Sequence, residues 1–264
     1  MLRAMGLRVW SPPLRLAVAV PAAAADSEPD PEPEVAAPAP RSVVAAPVAL
    51  AAPAPAPARP VALTRSIDGV AAMDWPALRD AVANCRACAL CDSRKQTVFG
   101  VGHPQAHWMV VGEAPGEQED LSCEPFVGAA GQLLDRMLAA LNLSRADDGP
   151  APPSQRVYIA NTLKCRPPRN RNPLAEELAQ CEPYLVRQIE LLQPRLILAM
   201  GRFAVQSLLR SDEPVGRLRG RVHRYQGVPL VVTYHPAYLL RNLPDKAKAW
   251  EDLCLAASVA EAAT

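Results

Sequence analysis

Four short apolar runs constrain this chain more than any other feature. They are Trp108-Met109-Val110-Val111, Val157-Tyr158-Ile159-Ala160, Leu196-Ile197-Leu198-Ala199-Met200 and Leu230-Val231-Val232-Thr233-Tyr234. None shows the polar alternation of a strand with one wet face. A strand that is apolar on both sides must be covered on both sides, as in a parallel sheet between layers of helices. Three of the runs end at a breaking signal: Gly112, Gly201 and His235-Pro236.

Helical patterns fill the intervals. Leu133, Leu134, Met137, Leu138 and Leu141 share one side of a helix expected over residues 130–141. Residues 173–192 offer Leu174, Leu178, Cys181, Leu185, Ile189 and Leu192, with Pro173 suited to a first turn. Pro183 falls inside that run and is expected to kink or divide it. Helices over 202–209 and 245–257 complete the alternation. The expected fold class is α/β: a three-layer α/β/α sandwich around a small, mainly four-stranded parallel sheet. Ligands of such folds sit beyond the carboxyl ends of the strands. Gly112-Glu113-Ala114-Pro115-Gly116, Asn161 and His235-Pro236 all fall there.

The 264 residues do not read as one folded unit. Between Pro21 and Pro60 the chain is nearly all Ala, Pro, Val and acidic residues, too poor in large apolar groups to offset chain entropy. We therefore expect a disordered linker over residues 21–73 and one domain over 74–264. Residues 1–20 stay unassigned. Their apolar run Leu16-Ala17-Val18-Ala19-Val20 is bracketed by Arg15 and Pro21, which leaves it short for the core of an export signal. No run has the ~20 apolar residues of a membrane span. The net charge is +1, so distribution matters more than the sum. Acidic residues (Asp26, Glu28, Asp30, Glu32, Glu34) crowd the linker, whereas Lys164, Arg166, Arg169 and Arg171 form a basic segment.

Seven cysteines at uneven spacing do not suit a disulfide scaffold and are read as reduced thiols in a cytoplasm. Cys85-Arg86-Ala87-Cys88 can supply two ligands to a metal centre, with Cys165 and Cys181 as a second pair. Spacing alone leaves zinc and iron–sulfur equally open. It also leaves open Cys88-Ala89-Leu90-Cys91, an overlapping pair of the same kind.

Several ordered motifs together resemble the family 4 uracil-DNA glycosylases. They are Gly112-Glu113-Ala114-Pro115-Gly116-Glu117-Gln118-Glu119-Asp120, Pro125-Phe126-Val127-Gly128, the stretch from Tyr158 through Asn161 and Cys165 to Pro168, and His235-Pro236-Ala237-Tyr238-Leu239-Leu240-Arg241. The resemblance spans roughly Asn84 to Leu253 and leaves out the linker. It implies a monofunctional glycosylase that hydrolyses deoxyuridine's N-glycosidic bond in single- or double-stranded DNA. It also implies a structural [4Fe–4S] cluster on Cys85, Cys88, Cys165 and Cys181.

Flipping the base out of the duplex requires a pocket. By motif position Phe126 stacks on the base and Asn161 reads its edge, an amide offering both an acceptor and a donor. His235 donates to the O2 on which charge develops. Glu113 and Glu119, the latter helped by Asn170, are the alternatives for orienting the attacking water. Ala114 stands where some members carry glycine. Leu239 or Leu240 fills the gap left in the stack, and Arg166, Arg169, Arg171 and Arg241 bind phosphates. A monomer is expected, with no membrane association and with the linker available to a replication or repair partner. The rival reading is a non-catalytic iron–sulfur DNA-binding module associated with replication. Glu113, Asn161 and His235 together argue against it.

Overall fold

The four apolar runs form the centre of one sheet in the computed structural model, which describes residues 69–148 and 150–262. All of these lie in a compact unit spanning residues 59–264. Readings placed on residues 1–68 fall outside the described residues.

In chain order the elements are α1 (Trp75–Ala83), α2 (Leu90–Ser93), β1 (Val101–Gly102), β2 (Trp108–Gly112), α3 (Glu117–Ser122), α4 (Ala129–Ala139), β3 (Val157–Asn161), α5 (Ala175–Leu192), β4 (Leu196–Met200), α6 (Arg202–Leu209), α7 (Val215–Leu218), β5 (Val222–Tyr225), β6 (Val228–Thr233), α8 (Pro236–Leu239) and α9 (Asp245–Ala262). The sheet runs β1-β3-β2-β4-β6-β5. β3, β2, β4 and β6 are mutually parallel, as expected, and β1 and β5 add antiparallel edges. The sheet is therefore six-stranded with a four-stranded parallel core. β2 has β3 on one side and β4 on the other, so the chain reverses direction across it and opens a crevice at its carboxyl end.

Alternate residues of the central strands feed two cores. Met109, Val111, Ile197, Ala199 and Val232 pack with Leu185 and Ile189 of α5 and Val205 and Leu208 of α6. Trp108, Val110, Ile159, Leu198 and Val231 pack with Leu134 and Leu138 of α4 and Leu253 of α9. This is the three-layer sandwich. No helix among the described residues is long and apolar enough to cross a membrane.

Two boundaries differ from expectation. The described residues ahead of Asp74, read as linker, are folded: a 3-10 turn over Val70–Ala72 buries Val70 against α1 and α5, and Arg187 Nε donates to the Met73 carbonyl at 2.7 Å. Secondly, α5 is one helix despite Pro183. Proline removes the donor for the carbonyl four residues back, here that of Ala179, and Ala179 is exposed to water. The buried face carrying Cys181, Tyr184, Leu185, Gln188, Ile189 and Leu192 keeps the helix intact on both sides.

Candidate active site and cysteine centre

The carboxyl ends of β2, β3 and β6 meet around a cavity of about 200 Å³. Among its lining residues are Glu113, Ala114, Glu119, Phe126, Asn161, Asn170, Arg171 and His235. The register places Gly112 beside Asn161 at the last pair of the β2–β3 ladder. Beyond it the two loops stay zipped, with Thr162 N–H donating to the Gly112 carbonyl at 3.0 Å and Leu163 N–H to the Glu113 carbonyl at 3.1 Å.

Gly112 has to lack a side chain. A Cβ there would lie 2.4 Å from Asn161 Oδ1 and 2.5 Å from Phe126 Cζ. Phe126 is buried at a left-handed φ of 57°, a costly conformation for an aromatic residue. Three features hold it there. The Glu119 carboxylate accepts from Val127 N–H at 3.0 Å and Gly128 N–H at 3.3 Å, and Arg145 donates to the Pro125 carbonyl at 2.8 Å. Gly131 of α4 lets the helix backbone lie directly on the Phe126 carbonyl, which a Cβ would strike.

His235 caps α8. Its Nδ1 accepts from Ala237 N–H at 3.2 Å, which leaves the proton of a neutral ring on Nε2. Burial, with Arg241 adding to it, pushes the imidazole pKa down to about 4. The ring is therefore a neutral donor at ordinary pH, and it stacks on Phe126 with centroids 5.3 Å apart. Asn161 is 2 % exposed, and its Oδ1 is buried without a hydrogen-bond partner. Buried acceptors left open are costly, about 1–3 kcal/mol, and in a cavity wall they mark where a ligand donor belongs.

The two carboxylates differ in their partners. Glu119 Oε2 also accepts from Gly116 N–H at 3.1 Å, so both its oxygens are engaged by backbone. Glu113 has no hydrogen bond to its carboxylate among the described residues, and burial raises its pKa against the opposing pull of Arg202. Asn170 lines the cavity but is exposed, and its Oδ1 accepts from Arg166 Nε at 2.8 Å rather than serving Glu119.

The expected DNA contacts fare unequally. Leu239 is 1 % exposed and belongs to the core, so it cannot enter a groove; Leu240 is 41 % exposed. Arg169 and Arg241 are exposed. Arg171 is held by Glu177 and the Asn172 carbonyl, and Arg166 lies 3.7 Å from Glu117. Lys164, counted in the basic segment, is 1 % exposed and offers no surface charge. Sequence reasoning also missed the stacked pair Tyr234 and Tyr238, with centroids 5.0 Å apart beside His235.

A second, smaller cavity brings Cys85, Cys88, Cys91, Cys165 and Cys181 to one place. Every cysteine among the described residues is a free thiol. Arg94 Nη1 donates to Cys165 Sγ at 2.9 Å and Lys164 N–H to Cys181 Sγ at 3.2 Å. Burial pushes the Cys165 thiol up to about 11 and the Cys181 thiol up to about 12. Arg94 also ties the Cys85 carbonyl at 2.8 Å. Cys91 donates to Asp92 Oδ1 at 3.4 Å. No three His, Cys, Asp or Glu side chains among the described residues converge as ligands of one metal ion do.

Residues 99–254 match the model of the uracil DNA glycosylase superfamily. The chain is similar to a type-4 uracil-DNA glycosylase of Archaeoglobus fulgidus, 43% identical over 60% of this chain and 79% of the relative. Similar proteins of the same name come from Pyrobaculum aerophilum, 41% identical over 69% and 93%, and Thermotoga maritima, 39% identical over 61% and 80%.

Proposed function

Because the chain belongs to the uracil DNA glycosylase superfamily, in its type-4 branch, we propose that the cavity at the ends of β2, β3 and β6 takes a uracil flipped out of DNA and cuts its N-glycosidic bond with water. The protein is a monofunctional uracil-DNA glycosylase of DNA repair. The observation that carries the assignment of the site is the convergence of Asn161, whose Oδ1 has no hydrogen-bond partner, with Phe126 and His235 on one cavity.

Asn161 Oδ1 accepts N3–H of uracil and its amide N–H₂ donates to O4. Cytosine presents an amine where uracil has O4 and no hydrogen at N3, so both contacts fail, at about 1–3 kcal/mol each. Phe126 stacks on the ring. His235 Nε2–H donates to O2 as the bond breaks, oxyanion-type stabilisation commonly worth several kcal/mol. Glu113, whose oxygens are free of backbone donors, orients the water and faces the cationic sugar. Glu119 holds the Phe126 turn instead. Leu240 fills the vacated stack and Arg169 and Arg241 meet phosphates, a salt-sensitive contribution. A monomer is the proposed working unit.

Cys85, Cys88, Cys165 and Cys181 are proposed to hold a [4Fe–4S] cluster. Two observations support the fit. Two of the four sulfurs accept N–H bonds, as cluster thiolates do. All four cysteines line one cavity. When bound, the cluster supplies a structural crosslink between the α1–α2 connection, the loop after β3 and α5.

The test is a labelled uracil-containing oligonucleotide incubated with iron-loaded protein and then treated with alkali. Strand scission at uracil, and none at cytosine, is expected. Intact strands from protein that carries four iron and four sulfide would overturn the reading.

A further inference from the structure

Lys164 is a cation wholly removed from water, and none of the ion pairs among the described residues includes it. Of the buried carboxylates, Glu177 and Asp252 meet Arg171 and Arg219, and Asp120 accepts from the backbone N–H groups of Lys95 and Gln96. A buried ammonium without a counter-charge is costly, so something must offset it. Its surroundings are informative. The ammonium donates to the Asn161 carbonyl at 2.8 Å and to Gln188 Oε1 at 2.6 Å, and the backbone N–H of the same residue donates to Cys181 Sγ at 3.2 Å. Gln188 is fixed in turn, its Nε2 donating to the Phe99 carbonyl at 2.9 Å and to Tyr158 Oη at 3.2 Å. Lys164 also lines the cysteine cavity and is followed directly by Cys165. One residue thus grips the peptide of the base reader with its side chain and the frame of the cysteine centre with its backbone.

We propose that Lys164 is a positioning residue that couples the cysteine centre to uracil recognition. A cluster on four thiolates is anionic overall and supplies the counter-charge that the ammonium lacks. The ammonium in turn fixes the Asn161 carbonyl and so the direction in which the Asn161 amide points. The inference rests on the uracil reading and adds a residue to it that touches neither base nor sugar.

The experiment compares iron-loaded wild type with Lys164→Met, which keeps the stem and removes the charge and donors, and Lys164→Gln, which keeps a neutral donor. Iron content, cluster reduction potential by film voltammetry, kcat and KM, and inhibition by free uracil are measured. Iron content is expected to stay equal. Both variants shift the potential to more negative values, because a cation within electrostatic reach of Cys181 and Cys165 has gone. Lys164→Met weakens inhibition by free uracil about tenfold, the effect of one hydrogen bond, and Lys164→Gln restores most of it. An iron-loaded Lys164→Met protein with wild-type potential and wild-type uracil inhibition overturns the proposal. If Lys164→Met does not fold, Lys164→Gln decides it, since an unchanged potential there overturns the counter-charge role. Wild-type excision tests the glycosylase reading by itself, while iron content and potential test the coupling without turnover, so the two failures are distinguishable.

Discussion

Replacing Gly112 with alanine tests the packing that aims the site. The new methyl would sit 2.4 Å from Asn161 Oδ1 and 2.5 Å from Phe126 Cζ, where ordinary contact begins at 3.4 Å. Each group would have to retreat by about 1 Å, and neither has room. Phe126 is pinned by α4 and by the Glu119 bonds to Val127 and Gly128. Asn161 is fixed by the β2–β3 register. Overpacking of this kind costs about 1–3 kcal/mol of stability, and roughly 1 Å of misplacement costs about a hundredfold in rate. Single-turnover excision from a uracil oligonucleotide, measured beside a thermal melt, should show kcat/KM down about a hundredfold. The melt should fall by only about 2–12 °C for a domain of this size. A folded Gly112→Ala protein whose kcat/KM stays within about threefold of wild type would refute the claim that this glycine sets the geometry of Asn161 and Phe126.

Other expectations follow from the same geometry. Glu119→Gln should lower stability by about 1–3 kcal/mol, because an amide turns donors toward N–H groups that the carboxylate now accepts from. Glu113→Gln should instead lower kcat with an unchanged melt; the reverse pattern would exchange the two roles. His235 takes up a proton only near pH 4, whereas the unfolded ring does so near 6.5. The unfolded chain therefore binds the extra proton between those values, and stability falls as pH drops from 6.5 to 4, by at most roughly 3 kcal/mol. Melts of wild type and His235→Gln across that window should diverge accordingly, and the acid limb of kcat/KM should lie well below 6.5. Leu240→Ala should impair excision from duplex more than from single strands, while Leu239→Ala should cost about 2–5 kcal/mol of stability.

The parallel core of the sheet was legible because its strands are apolar on both faces. The edges were not. β1 has two residues, one of them glycine, and β5 alternates exposed Val222 and Arg224 with half-buried His223 and Tyr225, so neither carries a buried-strand signature. Pro183 argued locally for a divided helix, but the buried face of α5 outweighed one missing bond. In the site, motif position brought Phe126, Asn161 and His235 to one cavity, whereas the difference in surroundings between Glu113 and Glu119 depends on backbone N–H groups as distant as Gly128. Leu239 and Leu240 are indistinguishable as letters, and the single turn of α8 decides which one faces inward. Lys164 was misread for the same reason. Its neighbours in sequence suggested a surface cation, while its partner Gln188 lies far along the chain.

The hydrogen bond between Ala237 and His235 reaches beyond capping a short helix. Because Nδ1 is occupied and burial keeps the ring neutral, the His235 of the proposed reaction would offer the departing base a hydrogen bond but no acid equivalent. On that proposal uracil would leave as an anion and collect its proton from solvent. The imidazole would then end each cycle in the state in which it began, with no recharging step for turnover to wait on.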